Sequence, residues 1–198
     1  MEQPTDKKHL LFSEESELIG SILEGHPEQF RVLANRYGQQ VLRLVGRLIP
    51  QKEDAEEVVQ DTLMAAYQSL RNYDSQQANF RTWLMHIAYH TALKRLRSQS
   101  RMQFIEMEQM TKEDIPTQEI DVLLSDTTPD RLTLLKEALH QLSVDDQMLL
   151  SLYYYDDRSL KEIAYIVGHT DSYLCSRLQW IRKKISKTIL TLEAHGKE

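Results

Sequence analysis

A chain of 198 residues with net charge −6 is long enough for one ordinary domain or two small ones and too short for a large multidomain enzyme. Only 6 Gly and 5 Pro interrupt it, so the backbone has few forced turns and the composition predicts mostly helix. One cysteine, Cys175, excludes an internal disulfide and a Cys-rich zinc site. No signal-peptide pattern and no apolar run near 18 residues occurs, so a soluble, cytosolic protein without membrane insertion is expected.

In chain order, Ser13 before Glu14 and Glu15 predicts an N-cap, with Leu18, Ile19, Ile22 and Leu23 as the apolar stripe and Gly25 as the stop. Pro27 suits a first turn, and Phe30, Leu33, Tyr37, Val41, Val45 and Leu48 recur at helical steps until Pro50. The two helices should pair as a hairpin. A third is predicted over about 53–70 with Val58, Val59, Thr62, Ala66 and Leu70 inward. A polar loop, 72–79, leads to a fourth over about 80–97 with Leu84, Ile87, Ala88, Ala92 and Leu96 inward. Residues 98–128 are acidic and aperiodic and read as a linker.

Beyond it, Thr128 and Pro129 open a helix carrying Leu132, Leu135, Leu139 and Leu142, and Ser143 with Asp146 opens another that Tyr153, Tyr154 and Tyr155 close over the core. Ser159 to Glu162 is a capping box for a short helix, Gly168 and His169 form a turn, and a long helix starts near Asp171. The fold expected is all-α: a bundle over 10–97, a linker, and a helix-turn-helix domain over 129–192.

The net acidity hides a segregation of charge. Arg81, Lys94, Arg95, Arg97 and Arg101 lie in a stretch without acids, and Arg177, Arg182, Lys183, Lys184 and Lys187 face only Asp171. The acids gather at 53–61 and 106–130. On the last helix a wheel places Leu174, Leu178, Ile181, Ile185 and Ile189 on one face and Ser172, Ser176, Gln179, Trp180 and Lys183 opposite, flanked by Tyr173 and Arg177. Hydroxyl, amide and guanidinium groups on such a face suit a DNA major groove, with Arg177 expected at base edges and Lys183 at phosphate. A merely solvated basic helix is the alternative, and an outward Trp180 speaks against it.

On the third helix the outward residues include Glu57, Gln60, Asp61, Met64 and Tyr67, an acidic strip around an apolar centre that suits a protein partner. The fourth helix interleaves Phe80, Trp83, His86, Tyr89 and His90 with Arg81, Lys94, Arg95 and Arg97, a pattern for single-stranded or flipped bases; Phe80 and Trp83 are equally suited to a core. His86 and His90 are spaced i, i+4, but no Glu completes a zinc hydrolase motif, and Cys175 has no base beside it. No catalytic residue, metal site or cofactor is expected.

These motifs resemble the extracytoplasmic-function (ECF) group of bacterial sigma factors over nearly the whole chain. The run 54–61 resembles the acidic helix of sigma region 2.2. Phe80-Arg81-Thr82-Trp83-Leu84 with Ile87-Ala88 resembles regions 2.3 and 2.4, and 159–184 resembles region 4.2. The resemblance implies that Glu57, Gln60, Leu63 and Tyr67 dock on the RNA polymerase core, on the clamp coiled coil of the beta-prime subunit, with beta as a further partner; the outward strip adds Asp61 and Met64 to this expected core-binding set. It implies that Arg81, Trp83, His90, Lys94, Arg95 and Arg97 serve the minus-ten element. Ser172, Tyr173, Ser176, Arg177, Gln179, Trp180 and Lys183 serve the minus-thirty-five element. An anti-sigma factor is a further partner. His90, Lys94, Ser143 and Trp180 depart from the residues common in the group. The rival readings are a stand-alone helix-turn-helix regulator with an N-terminal dimerisation or ligand-binding domain and, more remotely, an enzyme using His86 and His90.

Overall fold

The computed structural model describes residues 4–99 and 128–195; most of the acidic linker predicted over 98–128 lies outside them. Every regular element among the described residues is helical. Packing divides the chain into two compact units, Met1–Met102 with Tyr165–Gly168, and Gln103–Ala164 with His169–Glu198.

In the first unit, α1 (Pro4–Glu24) begins nine residues before the predicted Ser13 cap. The sequence from 5 to 19 holds neither Gly nor Pro, so nothing breaks the helix there, whereas Pro4 fits a first turn. Its stop is as expected: Gly25 takes φ +115° and the His26 N–H bonds back to the Ser21 carbonyl. Of the predicted stripe Ile19 and Ile22 are buried, while Leu23 is exposed. Buried Glu15 is held by the Tyr37 hydroxyl, which donates to its carboxylate, and burial pushes its carboxyl above the usual range against the opposing pull of Arg36.

A single 3-10 turn (Pro27–Gln29) leads into α2 (Phe30–Leu48), whose Leu33, Tyr37, Val41, Leu44, Val45 and Leu48 are buried. Helix α3 (Lys52–Ser69) buries Ala55, Val58, Thr62 and Ala66, and the Thr62 hydroxyl donates to the Val58 carbonyl at 2.7 Å. Helix α4 (Phe80–Gln99) is capped by Asn79, whose side-chain oxygen accepts from the Thr82 N–H at 2.8 Å. Helices α2, α3 and α4 pack mutually. The buried face of α4 is broader than the predicted stripe, taking in Phe80, Trp83, Met85, Tyr89 and Leu93, whereas Ile87 and Leu96 are only half-buried.

In the second unit, α5 (Pro129–His140) packs on the last helix and buries Ala138, while Leu132 stays exposed. Helix α6 (Val144–Leu150) starts as expected, with the Ser143 hydroxyl accepting from the Asp146 N–H. It runs into a five-residue π-helical turn, Ser151–Tyr155, which buries only Leu152. The expectation that Tyr153, Tyr154 and Tyr155 close over the core is therefore corrected. The widened turn shifts their phase outward, leaving Tyr154 61% and Tyr155 84% exposed.

The capping box at the start of α7 (Leu160–Val167) is formed in both directions: the Ser159 N–H donates to the Glu162 carboxylate at 3.1 Å and the Glu162 N–H to the Ser159 hydroxyl at 3.3 Å. Gly168 supplies the left-handed φ of +77° that the turn requires. Helix α8 (Asp171–His195) then buries Leu174, Leu178, Ile181, Ile185 and Ile189, the five residues of its predicted inward face.

Candidate nucleic-acid and protein interfaces

On α3 the strip opposite the buried residues is open: Glu57, Gln60 and Asp61 are exposed, Leu63 is half-buried, and Met64 and Tyr67 are 58% and 39% exposed. The strip is wider than the helix. The ring edge of Phe30 rests on Tyr67 at 5.3 Å between centroids, and Phe30, Arg31 and Ala34 of α2 join Leu63, Met64 and Tyr67 around one groove. Periodicity assigns Phe30 to the core of α2. At the first turn of α2 it is half-buried and part of the apolar strip.

The residues expected to meet the minus-ten element separate into two sets. His90, Lys94 and Arg97 are exposed on α4. Trp83 is not: it is 7% exposed and packs with Phe80 and Tyr73 at ring separations of 5.5 and 5.2 Å, so its assignment as a DNA-stacking residue is corrected to a core role. Burying an aromatic pair of this size stabilises the bundle more than an exposed platform would. Arg81 bonds to Gln40 of α2 through its Nε. Arg95 spans to α3, donating to Asp54 at 2.9 Å and Glu57 at 2.7 Å, and these carboxylates raise its pKa further. The basic stretch of α4 thus partly neutralises the acidic stretch of α3. His86 and His90 stand with ring centroids 4.3 Å apart, and among the described residues no group of three or more His, Cys, Asp or Glu is placed to hold a metal ion.

On α8, Ser172, Ser176 and Gln179 are exposed, and Tyr173, Trp180 and Lys183 are half-buried. Arg177 overturns the wheel. It is 1% exposed, and its guanidinium meets the Asp146 carboxylate in two parallel 2.7 Å bonds, Nε to Oδ1 and Nη2 to Oδ2. Its predicted role at base edges is corrected: the guanidinium is enclosed by the protein and two of its donors are engaged by Asp146. At a flanking wheel position a long polar side chain can turn either way, and a buried carboxylate on α6 draws it in. Cys175 is exposed and free.

The Sigma-70 region 2 family model matches residues 33–102. Among curated relatives, the RNA polymerase sigma-H factor of Pseudomonas aeruginosa is 27% identical over 187 residues, spanning 90% of this chain and 95% of that protein. The ECF RNA polymerase sigma-E factor of Haemophilus influenzae is 28% identical over 183 residues, spanning 88% and 95%. Of solved structures, CnrH in complex with the cytosolic domain of CnrY is similar at TM-score 0.57 and 22% identity, over 89% of this chain and 96% of that one. The sigma factor RpoE of Bartonella quintana, in complex with the anti-sigma factor NepR, is similar at TM-score 0.55 and 20% identity, over 82% and 97%. These two share the fold.

The region 2 match together with relatives that span about nine-tenths of the chain supports an ECF member of the sigma-70 family, a generally non-enzymatic family, and the all-α fold agrees with it. It is a sigma factor directing transcription initiation, and the stand-alone regulator is not favoured. Among the described residues no helix is long and apolar enough to cross a membrane.

Proposed function

We propose that this sigma factor docks on core RNA polymerase through the outward strip of α3, with Glu57, Gln60, Asp61, Leu63, Met64 and Tyr67 in contact. The observation that carries the reading is the conjunction of three exposed acidic or amide groups with exposed Met64 and Tyr67 on a helix whose opposite side is fully used by the bundle. The bundle uses Glu57 of that strip in its bond to Arg95 but leaves Met64 and Tyr67 exposed, and a basic coiled coil with apolar residues between its charges complements the strip. Its partners are the beta-prime and beta subunits, promoter DNA and an anti-sigma factor, and its compartment is the cytoplasm. The polymerase performs the chemistry, and this chain supplies recognition without catalysis.

In this reading a region 2 bundle over 10–97 melts and holds the minus-ten element, using exposed His90, Lys94 and Arg97, with Arg81 and Arg95 in supporting ion pairs and hydrogen bonds. A region 4 domain over 129–192 reads the minus-thirty-five element from α8 through Ser172, Tyr173, Ser176, Gln179, Trp180 and Lys183. Reconstitution with core polymerase tests this directly: defined transcripts should start only when the chain is present, and core alone or a dimeric regulator should start none.

Two consequences follow for DNA. The isolated chain should bind promoter duplex weakly at physiological salt, because the net charge is −6 and Arg95 is occupied by Asp54 and Glu57. A gel shift that is tight and promoter-specific without polymerase contradicts it. Lys183→Ala should weaken all promoters alike and lower the salt dependence by about one charge, since a Lys on phosphate carries no sequence information. Output from a promoter library with core polymerase, measured at several salt concentrations, checks this.

A further inference from the structure

The wheel of α8 places Arg177 among the DNA-reading residues, yet its side chain is buried against Asp146. That pair is built with care. Asp146 is the third residue of α6, and its own N–H is fixed by the Ser143 cap, so the carboxylate is anchored to a helix start rather than to a mobile loop. With Nε and Nη2 both bonded, the guanidinium has a single orientation. Its Cζ lies over the Trp180 ring, 4.1 Å from the centroid, and Lys184 Nζ lies 5.2 Å from the same centroid. Guanidinium-on-indole stacking of this kind holds a ring in place.

We propose that the Asp146–Arg177 pair positions Trp180, and that Trp180 is the residue that sets a thymine preference in the minus-thirty-five element. This rests on the reading of α8 as the helix that enters the groove. The neighbours on the outward face favour it. The Ser176 hydroxyl donates to the Ser172 carbonyl at 3.3 Å, which turns its proton inward to the helix. Gln179 is exposed. Tyr173, the other aromatic of this face, rests on His169 at 4.9 Å between ring centroids near the start of the helix, whereas Trp180 is held by the Arg177 guanidinium and presents the larger apolar edge; in the major groove the apolar mark of a base pair is the C5-methyl of thymine. Arg177 touches no base in this arrangement; it is a positioning residue.

The test uses the full chain with core polymerase on a promoter library randomised across the minus-thirty-five element. Trp180→Ala should lower thymine discrimination at one position by about five- to tenfold, the low end of the cost of one mismatched pair, with preferences elsewhere unchanged. Arg177→Lys keeps the charge against Asp146 but removes the planar face. It should shift preference at the same position, and the double variant should go no further. Trp180→Phe keeps a ring over the guanidinium and should retain most of the preference. The inference is overturned if Trp180→Ala preserves the wild-type preference, if Arg177→Lys folds and reads as wild type while Trp180→Ala does not, or if Trp180→Phe loses as much as Trp180→Ala. Should Arg177→Lys melt early by circular dichroism, the two Trp180 variants decide, because both leave the ion pair in place. A wild-type chain without any preference in this element overturns the reading of α8 itself, an outcome distinct from the others.

Discussion

Asp146→Ala is expected to destabilise the second unit by about 3–5 kcal/mol, the cost of leaving one member of a buried ion pair without its partner. Asp146 and Arg177 are each 1% exposed, so water cannot solvate the orphaned guanidinium where it stands. The unit is small and has little stability to spare. Thermal unfolding followed by circular dichroism should therefore show an early transition for this unit in the variant, with the bundle melting near its wild-type temperature. Replacing both partners by apolar residues of similar volume, as in Asp146→Leu with Arg177→Met, should recover much of the loss, because no charge then stays buried. A single variant that unfolds with the wild-type chain would show that the pair contributes nothing.

Glu57→Lys combined with Tyr67→Ala should weaken binding to core polymerase on the order of 100-fold, from one reversed charge and one lost aromatic anchor. The fold should survive. The Glu57 side chain is 55% exposed, and Tyr67 is 39% exposed and meets Phe30 only edge-on. The change places a lysine beside Arg95, but at a surface where both can turn to solvent. Competition with the wild-type chain for core, alongside a thermal melt, separates lost docking from lost structure. Wild-type affinity in the double variant would remove α3 from the docking surface.

The amphipathic faces were legible from sequence because each is a property of one helix. Five of five inward residues on α8, the Ser159–Glu162 box, the Ser143 cap and the Gly25 and Gly168 stops depend on spacing within a few residues, and local spacing is what a sequence displays. Two local readings failed for local reasons: Tyr153 to Tyr155 turn outward because a π-helical turn changes the phase of the chain, and α1 begins at Pro4 because no Gly or Pro from 5 to 19 stops a helix.

An all-α chain, the acidic strip on α3, and a helix-turn-helix whose last helix has one apolar and one polar face can all be read from residue spacing alone. Which polar groups remain available to a partner depends on the helices packed beside them. Trp83 is enclosed by Phe80 and Tyr73, and Arg95 reaches Asp54 and Glu57, about forty positions earlier in the chain. Arg177 is claimed by Asp146, thirty-one residues before it. A wheel gives the direction in which a side chain leaves its own helix. Whether a guanidinium there meets water, phosphate or a carboxylate is set by the neighbouring helix, since a charge is buried where a fixed counter-charge offsets its desolvation.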